Sequence, residues 1–331
     1  MEIMAVLVTG GAGYIGSHMV YALTDRGEDV VVLDNLSTGF DWAVSPAAKL
    51  VVGDIGDAAL VKKIIREHKV DAVIHFAGSI IVPESVENPL KYYHNNTCKS
   101  RNLIEAVVQE DVPHFIFSST AAVYGIPEHN PAFEDSPLAP INPYGRSKLM
   151  TEWTLADVAA AHDLRYVALR YFNVAGADPQ GRTGQSTPEA THLIKVACQT
   201  ALGLREKMYI FGTDYDTPDG TCIRDYIHVT DLIAAHVDAL DHLRRGGESE
   251  VMNCGYGRGF SVREVIDTVR KVVGHDFPVE EAPRRPGDPP ALVAGAEKVR
   301  KLLGWQPQHD DLEEIVASAY AWERHLMERN A

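Results

Sequence analysis

A tyrosine and a lysine four residues apart form the first pair in this sequence with an evident chemical use. They are Tyr144 and Lys148, in the run Tyr-Gly-Arg-Ser-Lys. On a helix this spacing places both side chains on one face. An ammonium group near a phenol lowers the pKa of the phenol from about 10 towards neutrality, and the phenolate can then act as a general base on a hydroxyl group. Because the same spacing also occurs by chance on ordinary helices, it needs support from the rest of the chain.

Hydroxyl side chains precede this pair and supply that support. Ser118, Ser119 and Thr120 follow one another at the end of an apolar run that predicts a strand. Ligands of parallel sheets bind beside the carboxyl ends of the strands. We therefore expect Thr120 to orient the same substrate hydroxyl on which Tyr144 acts.

A glycine-rich run near the amino terminus has the composition of a phosphate-binding turn. Residues 10–16 are Gly-Gly-Ala-Gly-Tyr-Ile-Gly, directly after the first predicted strand. Glycines permit a tight turn, and N–H groups at the start of a helix hold a pyrophosphate. A plain turn between a strand and a helix is the alternative, but the position favours dinucleotide binding. The predicted cofactor contacts of this run are Gly10, Gly13, Tyr14, Ile15 and Gly16.

Asp34 ends the second predicted strand and is placed to select the cofactor. A carboxylate at this point accepts both hydroxyl groups of the adenosine ribose and repels a 2′-phosphate. The sequence therefore predicts NAD rather than NADP. The alternative is that Asp34 only caps a turn with Asn35.

These residues need a parallel sheet with helices between its strands, and the first half of the chain alternates accordingly. Almost continuously apolar runs are typical of buried parallel strands. The predicted strands are Ala5–Thr9, Val30–Asp34, Lys49–Val52, Ala72–Phe76, His114–Ser118 and Arg165–Arg170. The predicted helices between them are Gly16–Arg26, Ala58–Glu67, Asn95–Glu110 and Lys148–His162. The expected fold class is α/β, a doubly wound parallel Rossmann sheet.

After Tyr171 the pattern changes, which predicts a smaller α+β substrate lobe over the carboxyl edge of the sheet. A loop at Ala177–Glu189 and a proline-rich stretch at Ala282–Pro290 interrupt the apolar patterns. The predicted helices of this half are Ala190–Ala201, Val229–Leu243 and Leu312–Arg329. We expect an NAD-binding domain at residues 1–170 and a mainly substrate-binding lobe at 171–331, with some segments of the second half returning to the first domain.

Composition narrows the classes of partner. The 331 residues carry a net charge of −15, which argues against nucleic acid and anionic membranes. No apolar run approaches the roughly 18 residues of a membrane span. Four scattered cysteines and an amino terminus typical of a strand rather than a signal peptide predict a cytoplasmic protein without a zinc site.

The order of these motifs resembles the extended short-chain dehydrogenase/reductase family, and within it the UDP-glucose 4-epimerases. The similarity extends over nearly the whole chain, and its second half is the more discriminating. The motifs that carry it are Thr9–Ser17, Gly53–Ile55, His75–Gly78, Pro83–Val86, Ala122–Gly125, Asn142–Lys148, Arg170–Asn173, Ile210–Gly212, Asp219–Thr221, Arg224–Val229 and Ala282–Asp288.

The resemblance implies a role for further residues. Asp54 and Ile55 would flank the adenine, and Tyr144, Lys148 and Tyr171 would surround the nicotinamide ribose. Further cofactor contacts would come from Asn35, Phe76, Ala77, Asn96 and Ser118. Thr120 and Tyr144 would meet the 4-hydroxyl of the sugar. The uridine diphosphate would be held by Asn173, Phe211, Arg224, Arg285 and Asp288.

Arginines suit a diphosphate, although other interpretations of these residues stay open. Arg224 and Asp225 could form a plain ion pair, and Arg284 with Arg285 a solvated turn. Phe211 could equally belong to the core.

The implied reaction is the NAD-dependent inversion of carbon 4 of a UDP-hexose, which interconverts UDP-galactose and UDP-glucose through a transient 4-keto sugar. Related dehydratases and decarboxylating enzymes need an acidic residue after the strand-end threonine, where this chain has Ala121 and Ala122. Epimerases of UDP-N-acetylhexosamines or UDP-pentoses stay open, and a non-catalytic NAD sensor is a more distant alternative. Such relatives are commonly homodimers, and Asn95–Glu110 and Lys148–His162 are the candidate interface helices.

Three departures from the family pattern concern the ligands. The stretch Ser79–Val82 lacks the lysine that many relatives place near the cofactor pyrophosphate. Thr120 stands where serine is commoner, and both residues offer a hydroxyl group. Leu292 occupies a position where side-chain size varies among relatives that admit or exclude N-acetylated sugars, which predicts room for such a sugar here.

Overall fold

The computed structural model describes residues 4–187, 190–285 and 288–330. Its strands are β1 Ala5–Thr9, β2 Asp29–Asp34, β3 Lys49–Val52, β4 Val70–His75, β5 His114–Thr120, β6 Arg165–Tyr171, β7 Asn173–Ala175, β8 Met208–Phe211, β9 Ile223–His228, β10 Glu250–Cys254, β11 Gly259–Ser261, β12 Val279–Ala282 and β13 Ala291–Leu292. Its α-helices are α1 Tyr14–Asp25, α2 Ala58–His68, α3 Val82–Glu87, α4 Pro89–Tyr92, α5 Lys99–Gln109, α6 Pro143–Ala161, α7 Leu193–Ala201, α8 Val229–Arg244, α9 Val262–Val273, α10 Glu297–Leu303 and α11 Leu312–Asn330.

The large sheet confirms the predicted α/β fold. Within the described residues it has seven strands in the order β10-β6-β5-β4-β1-β2-β3, and all its neighbours pair in parallel. Strand β1, which lies between β4 and β2, is buried along its whole length, as its Ala-Val-Leu-Val-Thr sequence predicts. Helices cover both faces, so the carboxyl ends of the strands meet at one edge, where a ligand site is expected.

Helix α6 begins earlier than predicted, and this matters for the site. The predicted helix begins at Lys148, whereas α6 begins at Pro143. The side chain of Asn142 accepts a hydrogen bond of 2.9 Å from the N–H of Gly145, and Pro143 occupies the first helical position. This cap adds one turn to the helix, so Tyr144 and Lys148 both lie on α6.

The helix predicted from Asn95 is interrupted at its start. Tyr93–Cys98 is a π-helix, and the regular α5 begins at Lys99. π-Helical turns are rare in proteins, and those that occur are often found at functional sites. The π-helix holds Asn96 against Ser79 and Ser147, which regular spacing from Asn95 did not predict.

The second half combines short strands with the helices α7, α9 and α11. Strands β7, β11 and β13 pair with β9, and β12 pairs with β8. Strand β10 instead joins the large sheet beside β6. The division into residues 1–170 and 171–331 stays a prediction.

Two predicted segments extend beyond the described ranges. Pro188–Glu189, at the end of the predicted loop, and Pro286–Gly287, within the proline-rich stretch, lie outside the described residues. The helix predicted from Ala190 begins at Leu193. No helix in the described ranges is long and apolar enough to cross a bilayer.

Candidate active site

Helix α6 and the end of β5 bring the predicted catalytic side chains together. Lys148 is 3% exposed, and its Nζ donates a hydrogen bond of 2.9 Å to the carbonyl oxygen of Ser118. The same ammonium lies 5.0 Å from the centre of the Phe117 ring. The half-buried Tyr144 is hydrogen-bonded to Thr120, the last residue of β5. A phenol, a hydroxyl and an ammonium group thus meet at the carboxyl edge of the sheet.

The charge on Lys148 suits the predicted proton transfer. Burial lowers the pKa of Lys148 to about 8, and the negative charge of Glu152 opposes that shift. Lys148 is therefore mainly protonated at pH 7. Burial also raises the pKa of Tyr144, while the hydrogen bond with Thr120 opposes the rise. The ionised form of Tyr144 is the one that could take a proton from a substrate.

Tyr171 and Ser118 lie beside this group. The hydroxyl groups of Ser118 and Tyr171 are hydrogen-bonded to each other. Burial raises the pKa of Tyr171, so it stays a neutral phenol at physiological pH. Because Thr120 and Tyr171 are partners in the β5–β6 register, Tyr171 lies beside Thr120, and its contact with the nicotinamide ribose stays a prediction.

The glycine run forms a cradle that leaves no room for a side chain at Gly10 or Gly16. A Cβ atom at Gly16 would lie 2.1 Å from the carbonyl oxygen of Gly10, and one at Gly10 would lie 2.6 Å from the nitrogen of Ala77. Gly13 caps α1 without any side-chain hydrogen bond, which leaves N–H groups at the helix start for an anion. These features fit the pyrophosphate of NAD.

Other predicted residues tie this cradle to its surroundings. The hydroxyl of Tyr14 donates a hydrogen bond of 2.7 Å to the carbonyl of Gly176, and Ile15 packs against the core. Phe76 lies 4.9 Å, centre to centre, from the ring of His236. The glycine run, the end of β4 and the start of the second half therefore adjoin one another.

Asp34 has two partners in the structure. One carboxylate oxygen accepts a hydrogen bond of 2.9 Å from the N–H of Ala12 in the glycine run. The other accepts a hydrogen bond of 2.8 Å from the N–H of Leu36. The turn predicted as the alternative role of Asp34 is therefore present, although its N–H donor is Leu36 and not Asn35. A carboxylate oxygen can accept more than one hydrogen bond, so Asp34 retains capacity for a ribose.

Asn35 and Asp54 meet at the edge of this region. Asn35 Nδ2 donates 3.4 Å to Asp54, and Lys99 Nζ donates 2.6 Å to the same carboxylate. Burial raises the pKa of Asp54, but the hydrogen bonds from Lys99, Gly56 and Asn35 and the charge of Lys99 together outweigh it and hold that pKa below its usual value. Next to Asp54, Ile55 is buried in the core on one side of the sheet. Lys99 has no motif of its own and sequence reasoning missed it.

The predicted diphosphate residues form two pairs. The Arg285 guanidinium lies 3.7 Å above the ring of Phe211, and Arg224 lies 3.9 Å from the carboxylate of Asp288. Leu292 is the register partner of Arg224 and is half-buried. The remaining member, Asn173, is hydrogen-bonded to Tyr226 and lines a cleft between β7 and α11.

The contacts of Asp225 and Arg284 argue against two alternative interpretations, an ion pair of Arg224 with Asp225 and a solvated turn at Arg284. Asp225 is fully buried and accepts hydrogen bonds from the N–H groups of Tyr256, Gly257 and Ala294. Arg224 contacts Asp288 instead. Arg284 is not merely solvated, since it donates 2.7 Å to Asp214.

The sequence model of the NAD dependent epimerase/dehydratase family matches residues 6–255. This chain belongs to that family. The matched range extends well beyond the glycine run and contains Tyr144, Lys148 and Arg224.

Members of the family with high identity have similar structures. The UDP-glucose 4-epimerase of Azospirillum brasilense is 64% identical over 321 residues, which is 97% of this chain and 92% of that protein. UDP-glucose 4-epimerase from Brucella ovis, solved in complex with NAD, has 46% identity and a TM-score of 0.93, over 96% of this chain and 98% of that one. The UDP-Glc/GlcNAc 4-epimerase from Campylobacter jejuni has 53% identity and a TM-score of 0.85, over 97% and 99% of the two chains. The predicted family and fold are confirmed.

Proposed function

We propose that this protein is an NAD-dependent UDP-hexose 4-epimerase that interconverts UDP-galactose and UDP-glucose. The observation that carries the proposal is the meeting of Tyr144, Lys148 and Thr120 beside a glycine cradle. The relatives at 46–64% identity named above carry this activity in their names. They favour it over a pentose epimerase or a non-catalytic sensor.

Each catalytic side chain has a distinct task in this proposal. Tyr144 removes the proton from the 4-hydroxyl of the hexose, and Thr120 orients that hydroxyl. Lys148 favours the phenolate form of Tyr144 through its charge. NAD, when bound, supplies reversible hydride transfer at carbon 4. Gly10, Gly13 and Gly16 would hold its pyrophosphate and Asp34 its adenosine ribose.

The uridine diphosphate would be bound by the second half of the chain. Arg224 and Arg285 supply positive charge, and Asn173, Phe211 and Asp288 complete the proposed set. At the strand end, Ala121 and Ala122 offer no group that could expel water from the sugar, which argues against a dehydratase.

A product assay with a single substrate tests the function. Purified protein incubated with UDP-galactose alone should form UDP-glucose, and the same final ratio should be reached from UDP-glucose. A sensor would form neither product. Absence of conversion in both directions by protein that carries NAD would refute the proposal.

Two finer proposals concern the assembly and its location. The helices α3, α4 and α6 contact one another. They carry an exposed apolar patch, which is defined here as Val86, Leu90, Met150 and Trp153. We propose that this patch and the flanking α5 mediate a homodimer, and that the protein acts in the cytoplasm. A patch of this kind on a stable chain is typical of a protein interface.

A further inference from the structure

A buried ionic network lies directly behind the catalytic pair. Glu152 follows Lys148 by one turn of α6, and its carboxylate accepts hydrogen bonds of 2.6–3.2 Å from Arg170 of β6. The hydroxyl of Ser119 in β5 donates to the same carboxylate. The Glu152 and Arg170 side chains are each 4% exposed. One carboxylate thus bonds the catalytic helix to two neighbouring strands.

The register of these strands couples Glu152 to the catalytic hydroxyls. Ser119 and Arg170 are partners across β5 and β6, and the next pair in the register is Thr120 and Tyr171. Glu152 is therefore bonded to the residue before each of these two hydroxyl groups. A change in its position would alter the spacing between Tyr144 on the helix and Thr120 on the strand.

The network is anchored on its far side as well. Arg170 Nη1 donates 3.1 Å to the hydroxyl of Tyr124, which donates 2.6 Å to the side chain of Asn253 in β10. Burial raises the pKa of Tyr124 to about 12, so its hydroxyl stays a donor at physiological pH. Because Arg170 is also held by Tyr124, the guanidinium that binds the Glu152 carboxylate has a fixed position.

We propose that Glu152 is a positioning residue for the epimerisation: held by Ser119 and Arg170, its carboxylate sets the spacing of Tyr144 from Thr120 and presents a fixed negative charge to Lys148. This inference rests on the proposed function. Glu152 touches neither substrate nor cofactor in this proposal, so its effect passes through the residues that do.

The charges around Lys148 support the second part of this role. Glu152 acts on it from its own helix, and burial, which lowers the pKa of Lys148, is opposed by that negative charge. From β4, His75 faces Lys148, but burial and the Lys148 charge lower the pKa of His75 to about 3, so it is neutral. From β5 come only the Ser118 carbonyl and the Phe117 ring. The Glu152 carboxylate is thus a negative group that favours the protonated form of Lys148.

A one-methylene change separates positioning from folding. Glu152→Asp keeps the negative charge and a partner for Arg170. Because the aspartate side chain is one methylene shorter, its carboxylate lies farther from Ser119 and Arg170 unless α6 moves towards the strands. We expect kcat to fall about 10-fold with KM for UDP-galactose within about twofold, because small misplacements of catalytic groups slow the reaction without weakening binding. In a crystal structure of the variant, the distance between the hydroxyl oxygens of Tyr144 and Thr120 should increase.

A second variant tests the charge. Glu152→Gln combined with Arg170→Met removes both ions, so no uncompensated charge stays buried, and the glutamine can still accept from Ser119. Without the negative charge Lys148 loses its proton more easily. The fall of kcat at alkaline pH should therefore occur at lower pH than in the wild type.

The matched control is Asp71→Glu. Asp71 forms a buried carboxylate–guanidinium pair with Arg244 at 2.9 Å, but at the amino end of β4, away from the catalytic edge. It should alter stability and leave kcat and its pH profile unchanged.

Wild-type kcat together with an unchanged Tyr144–Thr120 distance in Glu152→Asp would overturn the positioning role, whether or not the double variant folds. The structural measurement needs no substrate, so it stays decisive if the wild type failed to convert UDP-galactose. That failure would count against the proposed function alone.

Discussion

At Tyr144 the hydroxyl group performs the proposed proton transfer, while the ring fills space next to Tyr92. Tyr144→Phe should therefore keep the fold and the bound NAD but lower kcat by about two to four orders of magnitude, the usual contribution of a general base. Steady-state turnover of UDP-galactose and the NAD content of the purified protein measure both effects.

The control for this prediction is Tyr256→Phe. It removes a buried hydroxyl that contacts Asp231 and the carbonyl of His309, in a part of the structure without proposed catalytic residues. The Tyr256→Phe variant should turn over UDP-galactose at close to the wild-type rate. Near wild-type kcat in Tyr144→Phe would remove Tyr144 from the base role.

Asp34 carries a structural and a proposed cofactor role at once. Asp34→Ala leaves the N–H groups of Ala12 and Leu36 without their acceptor, so the free energy of unfolding should fall by about 1–3 kcal/mol. NAD retention should weaken, and discrimination against NADP should decrease because the repulsive carboxylate is gone. Cofactor content after gel filtration and denaturant unfolding separate the two effects.

Ser261→Ala is the comparison for that variant. Ser261 caps α9 by accepting from the N–H of Glu264, so its loss should cost about 1 kcal/mol of stability while NAD retention stays normal. If Asp34→Ala retained NAD as the wild type does, its role would be limited to the turn.

At the scale of elements, the pairing of β13 with β9 determines where Leu292 lies. Its register partner is Arg224, one of the proposed diphosphate ligands, so Leu292 lies at the same point along the neighbouring strand. We expect activity on UDP-N-acetylglucosamine beside UDP-galactose, since leucine leaves more room than an aromatic residue. The Campylobacter jejuni relative is named for both kinds of sugar.

Leu292→Tyr tests that expectation by adding volume to the proposed wall. Turnover of UDP-N-acetylglucosamine should fall at least about 10-fold, as exclusion of a bulky group from a pocket does, with UDP-galactose largely spared. Leu302→Tyr, on the exposed surface of α10, should change neither rate. Equal loss on both sugars would indicate a folding defect, and no loss would place Leu292 outside the pocket.

At the scale of the whole molecule, the exposed apolar patch on α3, α4 and α6 is the proposed dimer interface. Leu90 is 79% exposed and Trp153 is 55% exposed, and they lie on helices that contact each other. In the proposed homodimer Trp153 would be buried. Trp153→Glu should then shift the protein from dimer to monomer in sedimentation velocity, because a carboxylate in a dry interface is costly.

Leu204→Glu is the matched control, since Leu204 is 51% exposed outside that patch. It should leave the assembly unchanged. A wild-type protein that sediments as a monomer at micromolar concentration would contradict the dimer.

Local rules account for much of what the sequence predicted. Strands Ala5–Thr9 and Lys49–Val52 were predicted with their bounds because continuous apolar runs next to turn residues leave little choice. The glycine run and the Tyr144–Lys148 spacing were recognisable because a fixed backbone geometry links each pattern to its chemistry.

Long-range contacts decided the rest. The π-helix at Tyr93–Cys98 and the ion pair of Lys99 with Asp54 depend on neighbours that the sequence does not place side by side. Glu152 continues the four-residue spacing of Tyr144 and Lys148, so a signal existed. Its meaning appeared only when β5 and β6 brought Ser119 and Arg170 to its carboxylate, because a buried charge is defined by the partners that surround it.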